Sequence, residues 1–444
     1  MIIMKMSLYL KMFFHTETSA FKLQCNKRLP YIKSIRLVWI FGLIIMSLNF
    51  ITCYNPINSL ITGTDGYFRW IQESGTITII EYIGPGGSVI IPNQINGNPV
   101  TTIGDMSFYG KQLTSIIIPN SVTTIETLAF GRNELTNVVI PDSVTTMGLD
   151  VFINNQLTQV TISNSVTSIL WGTFRFNQLT SVAIPDNVTV IDTAAFTHNQ
   201  LTNVYIPSSV TFIGGSAFSW NRLTSVSIPS NITTIESGAF EGNRLTQVII
   251  PDGVTSIGRW AFHANQLTSI AIPDSVTLIG GSAFQNNQLT SVHIPQGVTT
   301  IEHGAFSHNR NLHEITVDQN NTHYMAIDGV LFNREKTRII QFPPIREGAY
   351  TIPETVGMIE AQAFANSQLT SITIPDSVIS IGARAFVDNQ LTSITIRANI
   401  NFDPDRAWWF PFGSWFEEAY NANGRLAGTY TRSDANSTNW TWQP

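Results

Sequence analysis

Phenylalanine recurs every 22 residues over most of this 444-residue chain. The residues in this register are Phe108, Phe130, Phe152, Phe174, Phe196, Phe218, Phe240, Phe262, Phe284 and Phe306, and the spacing resumes at Phe364 and Phe386. A fixed period of this length is the signature of stacked repeats, because one short unit cannot bury its own apolar face. The chain is therefore predicted to fold as a repeat solenoid with one coil per unit.

A single unit shows how a coil would form. Leu113, Ile116 and Ile118 follow the Leu-x-x-Leu-x-Leu pattern of leucine-rich repeats, and this spacing suits a short parallel strand with inward apolar side chains. Pro119 ends the strand because proline has no N–H to donate. Asn133 recurs in the later units, and an asparagine amide can satisfy both donors and acceptors of a buried turn. The predicted fold is a leucine-rich-repeat solenoid.

Differences in pattern divide the chain into five segments. Residues 1–53 are predicted to be an export signal and residues 54–61 a linker. Residues 62–107 are predicted to form an N-terminal β cap with the first coil, since two alternating apolar runs flank a Ser-Gly turn. The repeats occupy residues 108–396. Residues 397–444 are rich in aromatic side chains and are predicted to form a C-terminal cap, a carbohydrate-binding platform being the alternative.

An insertion at residues 319–349 breaks the period. Two apolar runs flank the polar segment Asn333-Arg334-Glu335-Lys336, which predicts a hairpin around it. Insertions in solenoids frequently carry specificity, so Arg334 and Lys336 are candidate ligand contacts. The alternative is a longer coil without a binding role.

The first 53 residues have the features of an export segment. They hold seven Lys/Arg and one Glu, followed by an apolar run from Leu37 to Ile51. The ending Leu48–Cys53 resembles a bacterial lipobox, which predicts lipidation of Cys53 and attachment to a membrane surface without a spanning helix. An uncleaved anchor and a plain signal peptide are the alternatives. The mature protein is expected at the cell surface or outer membrane, or secreted.

The remaining chain is acidic. Residues 54–444 carry 24 − 7 = 17 Lys/Arg and 30 − 1 = 29 Asp/Glu, a net charge of −12. Such a surface is repelled by phosphate backbones, which argues against nucleic acid as a partner. Both cysteines, Cys25 and Cys53, precede the repeats, which excludes a thiol metal site or a disulfide framework after residue 53.

Two columns of residues should point outward from the predicted strand face. Ser115 begins a nearly uncharged column of hydroxyl and amide side chains, and Ile117 begins a column of small or apolar ones. A broad neutral surface suits weak, repeated contacts. Tyr205 and His293 are bulky members of the second column, so they are candidate ligand contacts.

The sequence motifs of enzymes and metal sites are not found. The cluster His293, His303, His308 and His313 occupies different phases of the coil and should face different directions. There is no Gly-x-Ser-x-Gly elbow, phosphate-binding loop or dinucleotide fingerprint. We therefore expect no metal, no cofactor and no enzymatic activity.

The unit IPDSVTSIGxxAFxxNQLTSV, the DGVLF of the insertion and the opening IPxxINGxPVTTIG together resemble BspA-like (Treponema-type) leucine-rich-repeat proteins over about residues 62–444. These are bacterial surface proteins, although similar repeats occur in some parasitic protists. The resemblance implies adhesion to host extracellular-matrix or cell-surface proteins, such as fibronectin or fibrinogen, and coaggregation with other bacteria. A passive structural protein of the cell envelope is the alternative.

Overall fold

The computed structural model describes residues 61–402, 411–412 and 414–444. The predicted export segment and Cys53 lie outside the described residues. Residues 60–444 form one compact unit. This unit is a β-solenoid of about 14 turns with parallel strands and almost no helix, so the predicted fold class is confirmed. Within the described residues, no helix is long and apolar enough to cross a membrane.

The N-terminal end of the solenoid is covered by antiparallel strands. These strands are β1 (Ile61–Asp65), β2 (Phe68–Glu73) and β3 (Thr76–Tyr82). The first coil follows with β4 (Gly87–Ile90), β5 (Gln94–Ile95) and β6 (Asn98–Ile103). The β2–β3 hairpin turns at Ser74 and Gly75, as predicted. β3 also pairs in parallel with β6 and thereby joins the cap to the first coil.

Five extra residues in the first coil form a second hairpin. β5 and β6 are antiparallel around Asn96 and Gly97, whose φ angles are 50° and 79°. Two consecutive positive φ angles are typical of a two-residue hairpin turn, for which Asn-Gly is the preferred sequence. The five extra residues are therefore an ordered turn between two strands.

The coils contribute to two columns of parallel strands, but between residues 162 and 290 the first column is reduced to the isolated bridges Ala183–Tyr205 and Ser227–Ile249. The first strand column begins with β4, which pairs in parallel with β7, and contains β7 (Leu113–Ile117), β9 (Asn137–Val139), β11 (Gln159–Thr161), β18 (Ser291–Ile294), β20 (Glu314–Val317), β24 (Glu347–Thr351), β26 (Gln368–Thr373) and β28 (Ser393–Ile396). The second strand column contains β8 (Thr124–Ile125), β10 (Thr146–Met147), β12 (Ser168–Ile169), β13 (Val190–Ile191), β14 (Phe212–Ile213), β15 (Thr234–Ile235), β16 (Ser256–Ile257), β17 (Leu278–Ile279), β19 (Thr300–Ile301), β25 (Met358–Ile359), β27 (Ser380–Ile381) and β29 (Asn401–Phe402). Only the first column is predicted as strand by the sequence pattern.

Stacked phenylalanines fill the interior between the coils. From Phe108 to Phe306 the ring centroids of successive coils are 5.2–5.8 Å apart, and every ring in the ladder is buried. This distance follows from the coil spacing, because parallel strands in neighbouring coils lie about 4.8 Å apart. Phenylalanine recurs every 22 residues because each coil contributes one ring that stacks on the ring of the next coil.

The recurrent asparagine joins each coil to its neighbour. Asn133 Oδ1 accepts a hydrogen bond from the Leu113 N–H at 3.0 Å. Its Nδ2 donates to the carbonyls of Phe108 and Phe130 at 2.8 and 2.9 Å. The same pattern repeats in later coils, for example at Asn199. The predicted structural role of this buried amide is therefore present in the structure.

The insertion contains two turns rather than the single predicted hairpin. β21 (Tyr324–Ile327), β22 (Val330–Asn333) and β23 (Arg338–Gln341) form an antiparallel meander. The unpredicted turn is at Asp328 and Gly329, both with positive φ. β23 then pairs in parallel with β25, so the meander returns the chain to the second strand column.

Aromatic residues close the C-terminal end. The helix α1 (Ser414–Ala422) is followed by β30 (Gly428–Thr431) and β31 (Thr441–Gln443). β30 pairs antiparallel with both β28 and β31. Phe416, Tyr420 and Tyr430 are buried beneath these elements. The antiparallel strands and the buried aromatic cluster cover the last coil, as the C-terminal cap in the predicted fold class requires.

Candidate functional site

The first strand column exposes an unusual row of apolar side chains. Strand residues alternate between core and solvent, so Ile116 and Ile118 are buried while Ile117 is exposed. The exposed large residues in the same outward phase are Ile90, Ile117, Val139, Tyr205 and Ile249. Tyr205 is 68% and Ile249 82% exposed. We call this row, which runs along the coils, the strand-face row.

A neutral polar row lies beside it. Its residues are Asn137, Gln159, Ser181, Asn203, Ser225, Gln247, Ser269 and Ser291, and all of them are exposed. The first charge in this phase is Glu314. The strand face therefore combines separate apolar side chains with an uncharged hydrogen-bonding surface.

Tyr205 and His293 lie on the same face but not in one site. Tyr205 pairs with Ala183 of the preceding coil. His293 belongs to β18, and its Nδ1 atom is 2.9 Å from Thr316 Oγ1 in the next coil. The two residues are four repeats apart in sequence, which corresponds to about 19 Å at the strand spacing of roughly 4.8 Å. They can contact one partner only if that partner is large.

Arg334 and Lys336 are in a different place. They occupy the turn between β22 and β23, where both side chains are exposed. Asn333 orders this turn, since its Oδ1 accepts from the N–H groups of Thr337 and Arg338. Because β23 joins the second strand column, the structure does not bring these cations together with Tyr205 and His293.

A third surface was not anticipated from the sequence. In each coil the residue before the recurrent asparagine has a positive φ angle, and we call these positions the turn column. Its members are Arg132, Asn154, Phe176, His198, Trp220, Gly242, Ala264, Asn286, His308 and Asp388. Left-handed backbone costs a residue other than Gly, Asn or Asp roughly 1–2 kcal/mol. Three successive aromatic residues at such positions are therefore an unusual feature.

Phe176, His198 and Trp220 form an exposed aromatic ladder. The Phe176 and His198 ring centroids are 4.7 Å apart, and those of His198 and Trp220 are 6.0 Å apart. Phe176 is 40% and Trp220 48% exposed. A Cβ atom added to Gly242 would lie 2.7 Å from the Trp220 ring, so the indole lies directly over the backbone of the next coil.

Charged groups lie at both ends of the ladder. The Arg175 guanidinium is 4.6 Å from the Trp171 ring and 5.4 Å from the Phe176 ring, and it lies 3.5 Å from the Asp150 carboxylate. At the other end, Glu241 Oε1 is 3.1 Å from His263 Nδ1.

These surroundings affect the ionisation of His198 and Asp150. Burial lowers the pKa of His198, the Arg175 charge lowers it further, and the Glu241 carboxylate opposes both effects. These surroundings therefore favour the neutral form of the His198 imidazole. Burial raises the pKa of Asp150, although the Arg175 guanidinium opposes the shift.

The histidines predicted to face different directions lie in separate surroundings. Among the described residues, no group of three or more His, Cys, Asp or Glu side chains is arranged to hold a metal ion. His303 contacts the Arg259 guanidinium, and His308 contacts Gln285 and Ser307, so these two histidines take part in separate polar contacts.

The repeats match a known family. Six copies of the BspA type leucine rich repeat region cover residues 101–222, 211–335 and 348–408, which together are more than half of the chain. The chain belongs to the BspA-type leucine-rich repeat family. A BspA-type solenoid is typically a scaffold for protein interactions rather than an enzyme.

Solved bacterial structures resemble this BspA-type chain at low sequence identity. A leucine-rich repeat protein from Bacteroides ovatus is 22% identical, with 78% of this chain and 89% of that chain covered and a TM-score of 0.46. A leucine rich cell surface protein from Faecalibacterium prausnitzii is 28% identical, with 74% of each chain covered and a TM-score of 0.35. The T. pallidum leucine-rich repeat protein is 22% identical, with 51% and 89% covered and a TM-score of 0.30. No curated protein sequence matches the chain.

Proposed function

We propose that this BspA-type chain is a cell-surface adhesin that binds host extracellular-matrix or cell-surface proteins and takes part in contacts with other bacteria. Its role is binding and not catalysis. The observation that carries the proposal is the strand-face row, in which Ile90, Ile117 and Val139 are exposed on three successive coils and Tyr205 and Ile249 are exposed further along the same face. A contiguous group of exposed apolar side chains commonly marks a surface that binds another protein.

The distribution of the row favours a protein partner over a small molecule. Ile90, Ile117 and Val139 occupy neighbouring coils, whereas Tyr205 and Ile249 are separated from them by coils with smaller residues. A ligand that covers the whole row must extend over many coils. The uncharged polar row beside it offers hydrogen bonds without favouring either sign of charge. Repeated weak contacts of this kind gain strength from multivalency.

Binding assays with strand-face variants test the proposal. Threonine already occupies this phase at positions 161, 316, 373 and 395, so Tyr205→Thr and Ile249→Thr should preserve the coil. Each substitution is expected to weaken binding to immobilised fibronectin or fibrinogen roughly tenfold, or about 1.4 kcal/mol, as measured by biolayer interferometry.

Phe212→Thr provides the matched control. Phe212 is similarly apolar and exposed but belongs to the second strand column, where Thr124 and Thr146 occupy the same phase. This variant is expected to bind like the native chain. Equal affinity of the strand-face variants and the native chain would contradict the proposed surface. Absence of any saturable binding would favour the passive role in the cell envelope.

We also propose that the mature chain is attached to the membrane by lipid on Cys53. The support is the basic segment, the apolar run and the lipobox-like ending in the sequence. Metabolic labelling with a radioactive fatty acid should label the native chain, while Cys53→Ala should lose the label. Cys25→Ala is the control and should retain it. Equal labelling of native and Cys53→Ala chains would exclude this anchor and leave secretion as the alternative.

A further inference from the structure

The two edges of the strand face carry opposite charges. Arg222 and Arg244 lie in neighbouring coils on the side where each coil enters the strand face, and both side chains are exposed. Asp252 and Asp274 lie in neighbouring coils on the opposite side, in the Pro-Asp turns, and both are also exposed. Within the part of the chain that the structure describes, no ion pair includes any of these four side chains. The middle of the strand face therefore offers a partner one cationic edge and one anionic edge.

A second copy of the chain complements both edges at once. If a two-fold axis follows the strand-face row, parallel to the solenoid axis, the cationic edge of each copy faces the anionic edge of the other. Arg244 then faces the partner copy's Asp252, because both residues belong to the coil that contains Ile249. A two-fold axis across the coils would instead place like charges against each other. A symmetric contact requires such self-complementarity, and only the parallel arrangement provides it here.

The same axis brings apolar side chains of the two copies together. Ile249 and Tyr205 lie on the strand-face row, where they are 82% and 68% exposed, and each would meet its counterpart in the partner copy. Glu134 and Asp142 occupy the two edges of an earlier coil, and both are acidic and exposed. These two residues would repel each other across the contact. The contact is therefore restricted to the coils that follow them.

Backbone pairing on this face is weakest in the same middle coils. The first strand column has only its two isolated bridges between residues 162 and 290. The inward side chains of Val204, Val226 and Val248 are each 8% exposed there, whereas Val138 and Val292, which lie in paired strands, are each 2% exposed. Segments with few backbone hydrogen bonds open locally more easily. A second copy that covers these coils would restrict such opening.

The size of the contact indicates a weak dimer. Five coils extend about 24 Å along the axis and the face is on the order of 20 Å wide, so each copy contributes roughly 500 Å². A stable interface usually takes about 800 Å² from each partner. Association in the micromolar range is therefore expected, and a more tightly bound protein could displace the second copy.

We propose that two copies of this chain associate face to face through the coils between residues 162 and 290, with parallel solenoid axes and with Arg244 of each copy paired with Asp252 of the other. The consequence for adhesion rests on the proposed function: the second copy covers the strand-face row, and a host protein must displace it. Parallel copies have their N-terminal caps at the same end, as the proposed attachment of both chains to one membrane through Cys53 requires.

Sedimentation velocity of residues 54–444, which include the whole compact unit, tests the self-association over a range of micromolar concentrations. Arg244→Glu and Asp252→Arg are each expected to weaken dimerisation at least about tenfold, because each places like charges opposite one another twice in the dimer. The double variant R244E/D252R should restore it. An equimolar mixture of the two single variants should also dimerise, since every pair across that contact again joins opposite charges.

Arg132→Glu is the matched control. It makes the same change in charge, but Arg132 belongs to the turn column and not to the strand face, so this variant should dimerise like the native chain. Equal melting temperatures of all variants show that the fold is kept. The proposal is overturned if the native chain stays monomeric at every concentration, if Arg244→Glu dimerises at least as tightly as the native chain, or if R244E/D252R fails to restore dimerisation.

Fibronectin added to the native dimer separates this inference from the proposed function. A decrease in the dimer fraction would support a shared face, whereas binding of fibronectin to an intact dimer would contradict it. A dimer that binds no fibronectin would keep the self-association and count against adhesion to this matrix protein. Fibronectin binding by a chain that never dimerises would overturn the self-association and leave the adhesin proposal standing.

Discussion

At the scale of single residues, the repeated turn is governed by two left-handed positions in each coil. One is the turn column, and the other lies four residues earlier, as at Leu128, Asp150 and Gly172. A Cβ atom at Gly172 would contact the Asp150 carboxylate, so a side chain there would require that carboxylate to move. The short turn between the second strand column and the next coil requires these angles, whatever side chain is present.

The role of a single residue could be predicted from the sequence where its side-chain chemistry explains why it recurs in every repeat. Asn133 and Phe130 recur every 22 residues. An amide at this spacing can form hydrogen bonds within and between coils, and a ring at this spacing can stack on the ring of the next coil. The aromatic ladder could not be predicted in the same way. Phe176 and Trp220 do not favour left-handed backbone, so their conformation is imposed by the coil. The sequence signal that could have indicated the ladder is the replacement of Asn or Gly by aromatic residues in the turn column.

At the scale of elements, turn chemistry decides which segments are strands. The Ser-Gly turn at residues 74–75 and the polar turn at residues 333–336 both predict hairpins that the structure contains. The Asp-Gly pair at residues 328–329 is an equally strong hairpin signal between two apolar runs. The single hairpin predicted for the insertion does not include this turn. The second strand column was missed because two-residue strands show no alternation.

The C-terminal cap leads to a prediction on pH. Glu417 in α1 is buried, and this burial raises its pKa to about 7, while a backbone hydrogen bond from Phe412 acts in the opposite direction. In the unfolded chain this carboxyl group has its ordinary pKa of 4.5. Between these two pH values the unfolded state loses a proton that the folded state keeps, so stability falls as pH rises. The full loss above pH 7 is about 3 kcal/mol.

Thermal unfolding from pH 4 to pH 8 measures this effect. Glu417→Gln is neutral throughout, so its melting temperature should fall less between these pH values than that of the native chain. Glu418→Gln is the control, because Glu418 is exposed on the same helix, and it should follow the native profile. If Glu417→Gln and the native chain show parallel profiles, the buried carboxyl group does not limit stability at neutral pH.

At the scale of the whole molecule, the insertion divides the interior. The phenylalanine ladder that starts at Phe108 ends at Phe306, and a second ladder stacks Phe342, Phe364, Phe386 and Phe412. The buried apolar residues accordingly form two clusters. In solenoids each coil stabilises mainly its neighbours, so a break in stacking also weakens the cooperativity of unfolding.

This division predicts that the two parts unfold separately. Phe364→Ala removes a buried ring from the second cluster and should cost about 3–5 kcal/mol there. Hydrogen–deuterium exchange followed by mass spectrometry should then show faster exchange in peptides from residues 356–396, with little change in residues 108–306. Phe218→Ala is the reciprocal variant and should accelerate exchange in the first cluster only. If each variant accelerates exchange only in the cluster that contains the substituted residue, the two clusters unfold independently. Faster exchange along the entire solenoid in either variant would mean that the meander β21–β23 transmits stability between the clusters, and that the solenoid unfolds as one cooperative unit despite the interrupted ladder.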